Sequence, residues 1–293
     1  MYPAWLGILN EKSKPLSGDI GLFGGADSTP YIQYITITST GNTTTFGNLT
    51  VNRKYLAAVS SSTRAVFCGG TSNSNVMDYV TISTIGNATD FGDLVWGRIY
   101  LSGASNSTRG LLAGGSSGDD RTDYITIATT GNASDFGDLT GYYRGMAGAA
   151  STTRAVFCGN STTGNNIDYF TLATTGNATD FGDSTVSSGF RGGASSSTRA
   201  VFAGGYLTTN TIDYITIATT GNASDFGDLT VGRYIVAGLS NATRGVFGGG
   251  NNGSGVNTID YVTIATTGNA TDFGDLSSAA DSIAGASNSH GGL

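Results

Sequence analysis

The sequence predicts an all-β fold built from six copies of one short unit. Three observations support this prediction. The segment DYITIATTGNASDFGDLT at 123–140 recurs unchanged at 213–230, and close copies precede and follow it. Residues that favour helices are scarce, with one Glu, one Gln and three Lys among 293 residues, so a largely helical fold is excluded. The 46 glycines indicate many turns.

A tyrosine that recurs in every copy defines the length of the unit. It occurs at Tyr34, Tyr79, Tyr124, Tyr169, Tyr214 and Tyr261, at intervals of 45, 45, 45, 45 and 47 residues. A second element, TRAVFCGG at 63–70, has close counterparts in four later copies, and the divergent GDIGLFGG at 18–25 takes its place in the first. A fixed period of this length is typical of repeat architectures.

Each unit contains four short segments with strand character. In the second copy we predict strand A at about 53–59, strand B at 64–68, strand C at 76–83 and strand D at about 88–94. Four antiparallel strands per unit, repeated six times, predict a six-bladed β-propeller, because one blade cannot cover its own faces. A linear β-solenoid is the competing fold, although its coils are usually shorter and need terminal caps.

The two ends of the repeat region complement each other. The chain enters the repeat with strands B, C and D of one blade, and it ends with an A-like segment, DSIAGASNS, at 281–289. We expect this segment to complete the first blade and close the ring, which leaves no strand edge unpaired. The propeller is therefore predicted to span residues 17–293.

The leader at 1–16 does not belong to the repeat. It carries a compact apolar set followed by Lys12 and Lys14. The apolar set is Tyr2, Trp5, Leu6, Ile8 and Leu9. We interpret it as a segment that docks onto another subunit. Packing on a face of its own propeller is the alternative.

The unit resembles the kelch repeat, and the resemblance covers about residues 17–293. A basic residue opens strand A, a diglycine ends strand B, a tyrosine lies in strand C, and Phe91-Gly-Asp-Leu94 stands where kelch repeats usually carry Trp. The basic residues are Arg53, Arg98, Arg144, Arg191 and Arg233. The resemblance implies a propeller closed by its two chain ends. The amino-acid sequence of the repeat also resembles that of kelch-like structural (tail or virion) proteins of marine tailed bacteriophages, which implies a virion component.

Five copies pair an arginine at the start of strand B with an aspartate before the strand C tyrosine. In the first copy both positions differ, as Asp19 and Gln33. Because the two positions change together, we predict structural ion pairs within the blades. The pairs are Arg64 with Asp78, Arg109 with Asp123, Arg154 with Asp168, Arg199 with Asp213 and Arg244 with Asp260. A ring of arginines that binds anionic ligands is the alternative.

The N-x-x-D-F-G-D segments place several oxygen-bearing side chains close together. Asn87, Asp90 and Asp93 form one such set. Their spacing could suit Ca²⁺, but the set is short of ligands and the first copy lacks both acids. We therefore interpret these residues as turn and capping residues.

Charge and composition exclude several classes of function. A net charge of −7 argues against a nucleic-acid partner. No apolar run is long enough to predict a membrane span. Cys68 and Cys158 occupy equivalent places in two units, so we expect them to lie too far apart to form a disulfide. With one His and one Glu, no catalytic residues, metal site or cofactor are predicted.

Binding is predicted on one face of the ring. The A–B and C–D turns belong to one face and barely vary, whereas the B–C and D–A loops of the other face differ between copies. Aromatic and polar residues on variable loops suit recognition. The candidates are Trp96, Tyr142, Tyr143, Phe190, Tyr206, Asp119, Asp120 and Arg121. For Trp96 and Phe190, packing between blades is the alternative.

Together these observations predict a non-enzymatic bacteriophage virion protein, associated with the tail or surface and made in the host cytoplasm. Its expected partners are other virion structural proteins and a host-surface glycan, and an oligomer is compatible with this function. An intracellular kelch-type adaptor for other proteins is the first alternative. A propeller enzyme that degrades polysaccharides is the second.

Overall fold

The computed structural model describes residues 15–26, 30–116, 119–161 and 164–293. Over these residues the chain forms six antiparallel sheets of four strands each, arranged in a ring. The predicted all-β, six-bladed propeller is confirmed. The predicted docking residues Tyr2, Trp5, Leu6, Ile8 and Leu9 lie outside the described residues.

The strands are numbered along the chain, and each blade contains one strand of each type. The A strands, nearest the axis, are β4 (Ala57–Ser60), β8 (Ser102–Ser105), β12 (Ala147–Ala150), β16 (Gly192–Ser195), β20 (Ala237–Ser240) and β24 (Ala284–Ser287). The B strands are β1 (Ile20–Gly24), β5 (Arg64–Cys68), β9 (Arg109–Ala113), β13 (Arg154–Asn160), β17 (Arg199–Ala203) and β21 (Arg244–Gly248).

The C strands are β2 (Tyr31–Thr36), β6 (Val76–Thr81), β10 (Asp119–Thr126), β14 (Gly164–Thr171), β18 (Thr211–Thr216) and β22 (Val256–Thr263). The outer D strands are β3 (Thr44–Asn48), β7 (Thr89–Asp93), β11 (Ser134–Tyr143), β15 (Thr179–Asp183), β19 (Ser224–Asp228) and β23 (Thr271–Ala280). In the second copy, the predicted strand B is confirmed residue for residue.

The last strand closes the ring. β24 pairs antiparallel with β1, with Ala284 opposite Gly24 and Ser287 opposite Gly21. The first blade therefore contains strands from both ends of the repeat region, in the order β24-β1-β2-β3. This pairing confirms the closure predicted from the sequence.

Small residues let the six A strands approach one another around the axis. The second residue of each A strand is Ala58 or a glycine. A Cβ on Gly103 would lie 2.3 Å from the Ala58 carbonyl oxygen, and a Cβ on Gly148 would lie 2.1 Å from that of Gly103. Gly193, Gly238 and Gly285 meet the preceding A strand in the same way. Larger residues would push the strands apart.

Serines at the ends of the A strands link neighbouring blades. Each of these hydroxyls donates to the last carbonyl of an adjacent A strand. The links run from Ser105 to Ser60, Ser60 to Ser287, Ser287 to Ser240, Ser240 to Ser195 and Ser195 to Ala150, over 2.6–2.9 Å. Ala150 takes the place of the sixth serine, so the series has one gap.

At the outer rim, each C–D turn caps the D strand of the preceding blade. Asn87 Oδ1 accepts a hydrogen bond from the Asn48 amide at 3.1 Å, and Asn42, Asn132, Asn177, Asn222 and Asn269 do the same in the other blades. The glycine of the D strand is required beneath this turn. A Cβ on Gly47 would lie 2.0 Å from the Gly86 oxygen. The turn and capping role predicted for the asparagine is confirmed.

The core consists of six clusters, each between two adjacent blades of the described chain. Phe91 of a D strand is buried in one cluster and meets Tyr79 edge-on, with ring centroids 6.0 Å apart. Cys68 and Cys158 are buried and not bonded to each other, as predicted. Burial raises the pKa of both thiols, that of Cys158 to about 11.

One short 3₁₀ helix, Tyr206–Thr208, occurs in the part of the chain that the structure describes. None of the helical structure described there is long and apolar enough to cross a bilayer.

Deleting residues 281–293 should destabilise the whole ring, because it removes β24 and leaves β1 with an unpaired edge. We expect the melting temperature to fall by more than about 10 °C. Deleting only 289–293 keeps β24 and is the matched control; it removes only the contacts of His290 and Gly291 with the axis, so we expect a clearly smaller loss than for the longer deletion. Differential scanning calorimetry measures both. Equal melting temperatures for the two deletions would contradict closure by β24.

Candidate functional site

Exposed large hydrophobic side chains concentrate on the face formed by the B–C and D–A loops. We call this the variable face. Of the nine such side chains found in the described residues, eight lie on it: Tyr31, Val51, Val95, Trp96, Tyr142, Tyr206, Leu207 and Val231. The ninth, Ile85, lies in a C–D turn of the opposite face. This uneven distribution distinguishes the variable face from the opposite face.

The outer part of the variable face carries the most exposed aromatics. Tyr142 is 70% exposed and Trp96 is 57% exposed. The guanidinium of Arg121 lies 5.1 Å from the Trp96 ring centroid, so that these two predicted site residues meet. Trp96 therefore does not pack between blades. Tyr143 is partly buried, and its hydroxyl lies 3.2 Å from Thr140 Oγ1.

Blades 3 and 5 contribute further candidates. The Asp119 carboxylate lies 3.8 Å from Arg121 Nε, and Asp120 is the next residue along β10. In blade 5, Tyr206 meets Tyr234 edge-on at 6.2 Å, and the adjacent Leu207 is 82% exposed. The predicted candidates thus share a face but do not form one cluster.

Six equivalent residues surround the axis where it opens on the variable face. We call this ring the axis mouth; it consists of Tyr55, Tyr100, Gly145, Phe190, Ile235 and Ser282. All six have left-handed backbone conformations, with φ between 57° and 64°. Five amide–carbonyl hydrogen bonds of 2.5–3.0 Å join neighbours in the ring. Left-handed backbone is costly for every residue except glycine.

Aromatic side chains cover half of the axis mouth. The rings of Tyr55 and Tyr100 are 4.5 Å apart, and Phe190 meets Tyr100 edge-on at 5.4 Å. Phe190 lies over Gly145, since a Cβ added to Gly145 would be 2.6 Å from the Phe190 Cε1 atom. Partial burial and the neighbouring Tyr55 raise the pKa of Tyr100. Phe190, a predicted binding residue, thus belongs to the axis mouth.

The buried aspartates pair with arginines of the D–A loops, so the arginine partner predicted from the sequence is wrong. Strand A of the second copy, predicted from about residue 53, begins at Ala57, which leaves Arg53 in the loop before it. Asp78 was predicted to pair with Arg64. Instead, Arg53 Nη2 lies 2.5 Å from the Asp78 carboxylate, and both side chains are almost fully buried. Arg53 also donates to the backbone carbonyls of Phe67, Gly69 and Val76.

The same correction applies to three further aspartates. Each carboxylate lies 2.6–2.9 Å from a guanidinium nitrogen of the D–A loop arginine that precedes its own blade, and the predicted strand B arginine is not its partner. Asp123 pairs with Arg98 and not with Arg109. Asp213 pairs with Arg191 and not with Arg199. Asp260 pairs with Arg233 and not with Arg244.

Strand alternation explains why the predicted pairs do not form. Arg64 is opposite Thr81 in the sheet, whereas Asp78 is opposite Phe67 on the other face of the blade. Arg64 lies instead over the Tyr79 ring at 4.2 Å and donates to the Ile127 carbonyl of the next blade. Arg109, Arg154, Arg199 and Arg244 make the same two contacts. The last of the five predicted ion pairs fails for the same reason, because Arg244 is opposite Thr263, whereas Asp260 is opposite Phe247.

Blade 4 departs from the arginine–aspartate pattern. Tyr143 occupies the position of Arg53 in the unit, and Arg144 follows one residue later. The Arg144 guanidinium lies 5.8 Å from the Tyr100 ring centroid, at the axis mouth. Asp168, predicted to pair with Arg154, is buried and is held by the Thr140 amide and hydroxyl at 2.8–2.9 Å, with no arginine beside it among the described residues. Burial raises the pKa of its carboxyl.

The C-terminal residues cover the opposite end of the axis. His290 Nε2 lies 3.0 Å from the Ser60 carbonyl oxygen and 3.4 Å from Ser105 Oγ. The Gly291 amide donates to the Ser195 carbonyl at 3.0 Å. Burial lowers the pKa of His290 to about 4, against the opposing effect of the Ser60 carbonyl.

Metal chemistry finds little support in the geometry. Within the described ranges, no three His, Cys, Asp or Glu side chains come together in a way that could hold a metal ion. Of the residues that the sequence offered as Ca²⁺ ligands, Asp90 and Asp93 lie on one D strand, β7, and Asn87 Oδ1 is used to accept a hydrogen bond from the Asn48 amide.

Three features of the site were missed by sequence reasoning. The left-handed ring is carried by six dissimilar residues, so no motif marks it. The close approach of the A strands was also missed, although the sequence indicates it by repeated Ala, Gly and Ser, for example AGAA at 147–150. The offset of Arg144 was also visible in the sequence, as a one-residue shift relative to Arg53 and Arg98.

The paired and the unpaired aspartate should respond differently to neutralisation. Asp213→Asn leaves Arg191 buried without its counter-charge, so we expect a loss of about 3–5 kcal/mol in the free energy of unfolding. Asp168→Asn removes a buried charge that has no cation beside it, and the change should stay within about 1 kcal/mol. Urea denaturation of both variants gives the comparison. Equal losses would mean that Asp168 has a cationic partner.

Acidification should weaken the contact of His290 with the axis. Because its pKa is lowered to about 4 in the folded chain, the neutral form is favoured there. The unfolded chain takes up a proton near pH 6.5. Stability from this group is therefore complete above that pH and is lost as the pH falls from about 6.5 to 4.

The variant His290→Gln removes this titration. The drop in stability between pH 7 and pH 4.5 should be smaller in His290→Gln than in the wild type, as measured by urea denaturation at each pH. Taking the difference between the two proteins removes the contribution of Asp123 and Asp168, whose raised pKa values act with the opposite sign. Identical pH profiles would refute the effect.

Neither a protein-family model nor a curated protein sequence matches this chain.

Proposed function

We propose that the chain is a non-enzymatic virion component that attaches or assembles through the variable face of the propeller. The observation that carries this proposal is the placement of eight of nine exposed large hydrophobic side chains on that face. Such side chains are held in water at a cost, and their grouping suits a contact surface. The virion setting is supported by the resemblance of the repeat to tailed-phage structural proteins.

The side chains of the opposite face are used within the fold, which leaves recognition to the variable face. The turns of the opposite face carry few exposed apolar groups, and their polar side chains form hydrogen bonds within the fold. Ser61 and Asn106 accept hydrogen bonds from the amides that start the following B strands. Each C–D turn asparagine caps a neighbouring D strand. Residues used in this way are poorly placed to recognise a partner.

A binding role also fits the chemistry of the side chains better than catalysis. Most carboxylates recur from blade to blade, either buried, as Asp78 is, or on the D strands of five blades, and on the variable face Asp119, Asp120 and Asp281 are the exceptions. A catalytic acid and base need two distinct environments. Exposed aromatics such as Trp96 and Tyr142 instead suit a sugar or a protein surface.

The first test asks whether the protein is part of the particle. We expect it in purified virions at a fixed copy number by quantitative mass spectrometry. Its presence in infected host cytosol but not in virions would contradict the proposal and favour the intracellular adaptor. Release of reducing ends from a polysaccharide by the purified protein would favour the enzyme.

The second test addresses the variable face. In virions, the double variant Trp96→Ala, Tyr142→Ala should reduce adsorption to host cells by about tenfold or more, since aromatic contacts that anchor an interface are each worth about 2 kcal/mol. Ile85→Ala, which removes an exposed hydrophobe from the opposite face, is the matched control and should adsorb normally. If the double variant assembles and adsorbs like the wild type, the variable face is not the attachment surface.

A further inference from the structure

Three independent features meet at the axis mouth. Bulky residues occupy strained backbone, an arginine is withheld from a buried aspartate, and aromatic rings are left partly exposed. Each feature is local to the same few residues on the variable face.

The first feature is the backbone. Tyr55, Tyr100, Phe190 and Ile235 all have φ between 57° and 62°. Gly145 stands in the same ring position, so the unit accepts glycine there without strain. The chain nevertheless carries large side chains at four of the six positions. Strain that is kept although a relaxed residue fits is typical of a functional site.

The second feature is the guanidinium of Arg144. The equivalent arginines of four blades are buried against aspartates, as Arg191 is against Asp213 at 2.6 Å. Arg144 is only partly buried and lies beside Tyr100, and its aspartate, Asp168, remains buried without it. This arrangement gives up a buried ion pair and places one cation at the edge of the aromatic rings.

The third feature is the surface that these groups form. The cavity at the mouth is lined by the ring residues, among them Tyr55, Tyr100 and Phe190, and by Arg191 behind them. Arg144 does not line the cavity but lies beside it, 5.8 Å from the Tyr100 ring centroid. Two tyrosines offer aromatic faces and hydroxyls, and Arg144 offers a planar donor for a carboxylate. The Asp281 carboxylate binds Ser282 and Asn251 on the far side of the ring, so an anion is suited to the side of Arg144.

We propose that the axis mouth binds the terminal sugar of a glycan that carries a carboxylate, with the sugar ring on Tyr100 and the carboxylate on Arg144. This inference deepens the proposed function and rests on it, because it names the ligand class of the variable face. The net charge of −7 does not attract an anion from a distance. Recognition therefore depends on the local Arg144 contact.

Isothermal titration calorimetry of the full chain tests the site. The probes are oligosaccharides ending in galacturonate, glucuronate or N-acetylneuraminate, with galactose- and glucose-ended oligomers of equal length as neutral counterparts. We expect at least one acidic probe to bind about tenfold more tightly than its neutral counterpart. Arg144→Ala should abolish that preference. Arg154→Ala removes the same charge from the opposite face and should leave the affinity unchanged.

A second variant separates binding from folding. Tyr100→Gly should lose binding of the acidic sugar while the melting temperature stays within about 3 °C of the wild type, because glycine relieves the strain that tyrosine bears. A side chain needed only for packing would instead lower the melting temperature markedly. That result would overturn the assignment.

Other outcomes would also overturn it. These are no binding of any acidic sugar, equal affinity in Arg144→Ala, and tighter binding of hexaglutamate, which would make the site a peptide site. The readout uses purified protein and soluble sugars, so it does not depend on virion incorporation. If the purified protein binds no acidic sugar but the virions attach normally, only the ligand assignment is wrong. If the protein binds the sugar but is absent from virions, only the virion setting is wrong.

Discussion

The close approach of the six A strands at the axis is the constraint on which the rest of the molecule depends. A single Cβ at Gly103 or Gly148 would come within about 2.3 Å of a neighbouring carbonyl oxygen, so the strands can meet only where side chains are absent. Meeting there lets serines bridge adjacent strands, as Ser240 does to Ser195. The narrow centre also limits where a ligand can bind. Function must then use the faces of the ring or the two ends of the axis.

The two faces of the ring differ in how their loop residues are used. On one face, the turn residues are consumed in links between blades: asparagines cap D strands, and strand B arginines such as Arg64 reach the next blade. These links repeat with the unit, so any change in one copy weakens a junction. On the variable face, Trp96, Tyr142 and Leu207 extend into solvent. Variation accumulates where it does not break the ring.

The sequence predicts the fold well because the repeat supplies the same information six times. Period-2 alternation and turn residues locate strand B at 64–68 and show that 281–289 completes the first blade. The pairings of Asp78 and Asp260 were predicted with the wrong arginines because covariation between positions was read without strand alternation, which places Arg64 and Asp78 on opposite faces. The candidate site was only partly predictable. Exposed Trp96 follows from its loop position, whereas the left-handed conformation at Tyr55 depends on contacts between blades that no local motif encodes.

Departures from the repeat therefore carry more information about function than the repeat itself. The ion pair of Arg191 with Asp213 shows that an arginine can reach the buried aspartate even from a shifted position in the chain. Blade 4 thus could have retained its pair, yet Arg144 lies at Tyr100 and leaves Asp168 to Thr140. A buried carboxylate without a cation costs stability, and so does tyrosine in a left-handed conformation. The first cost falls in blade 4, at Asp168 on β14, and the second falls at the axis mouth. Selection for stability alone would remove such features, and the proposed binding site gives a physical reason for keeping them.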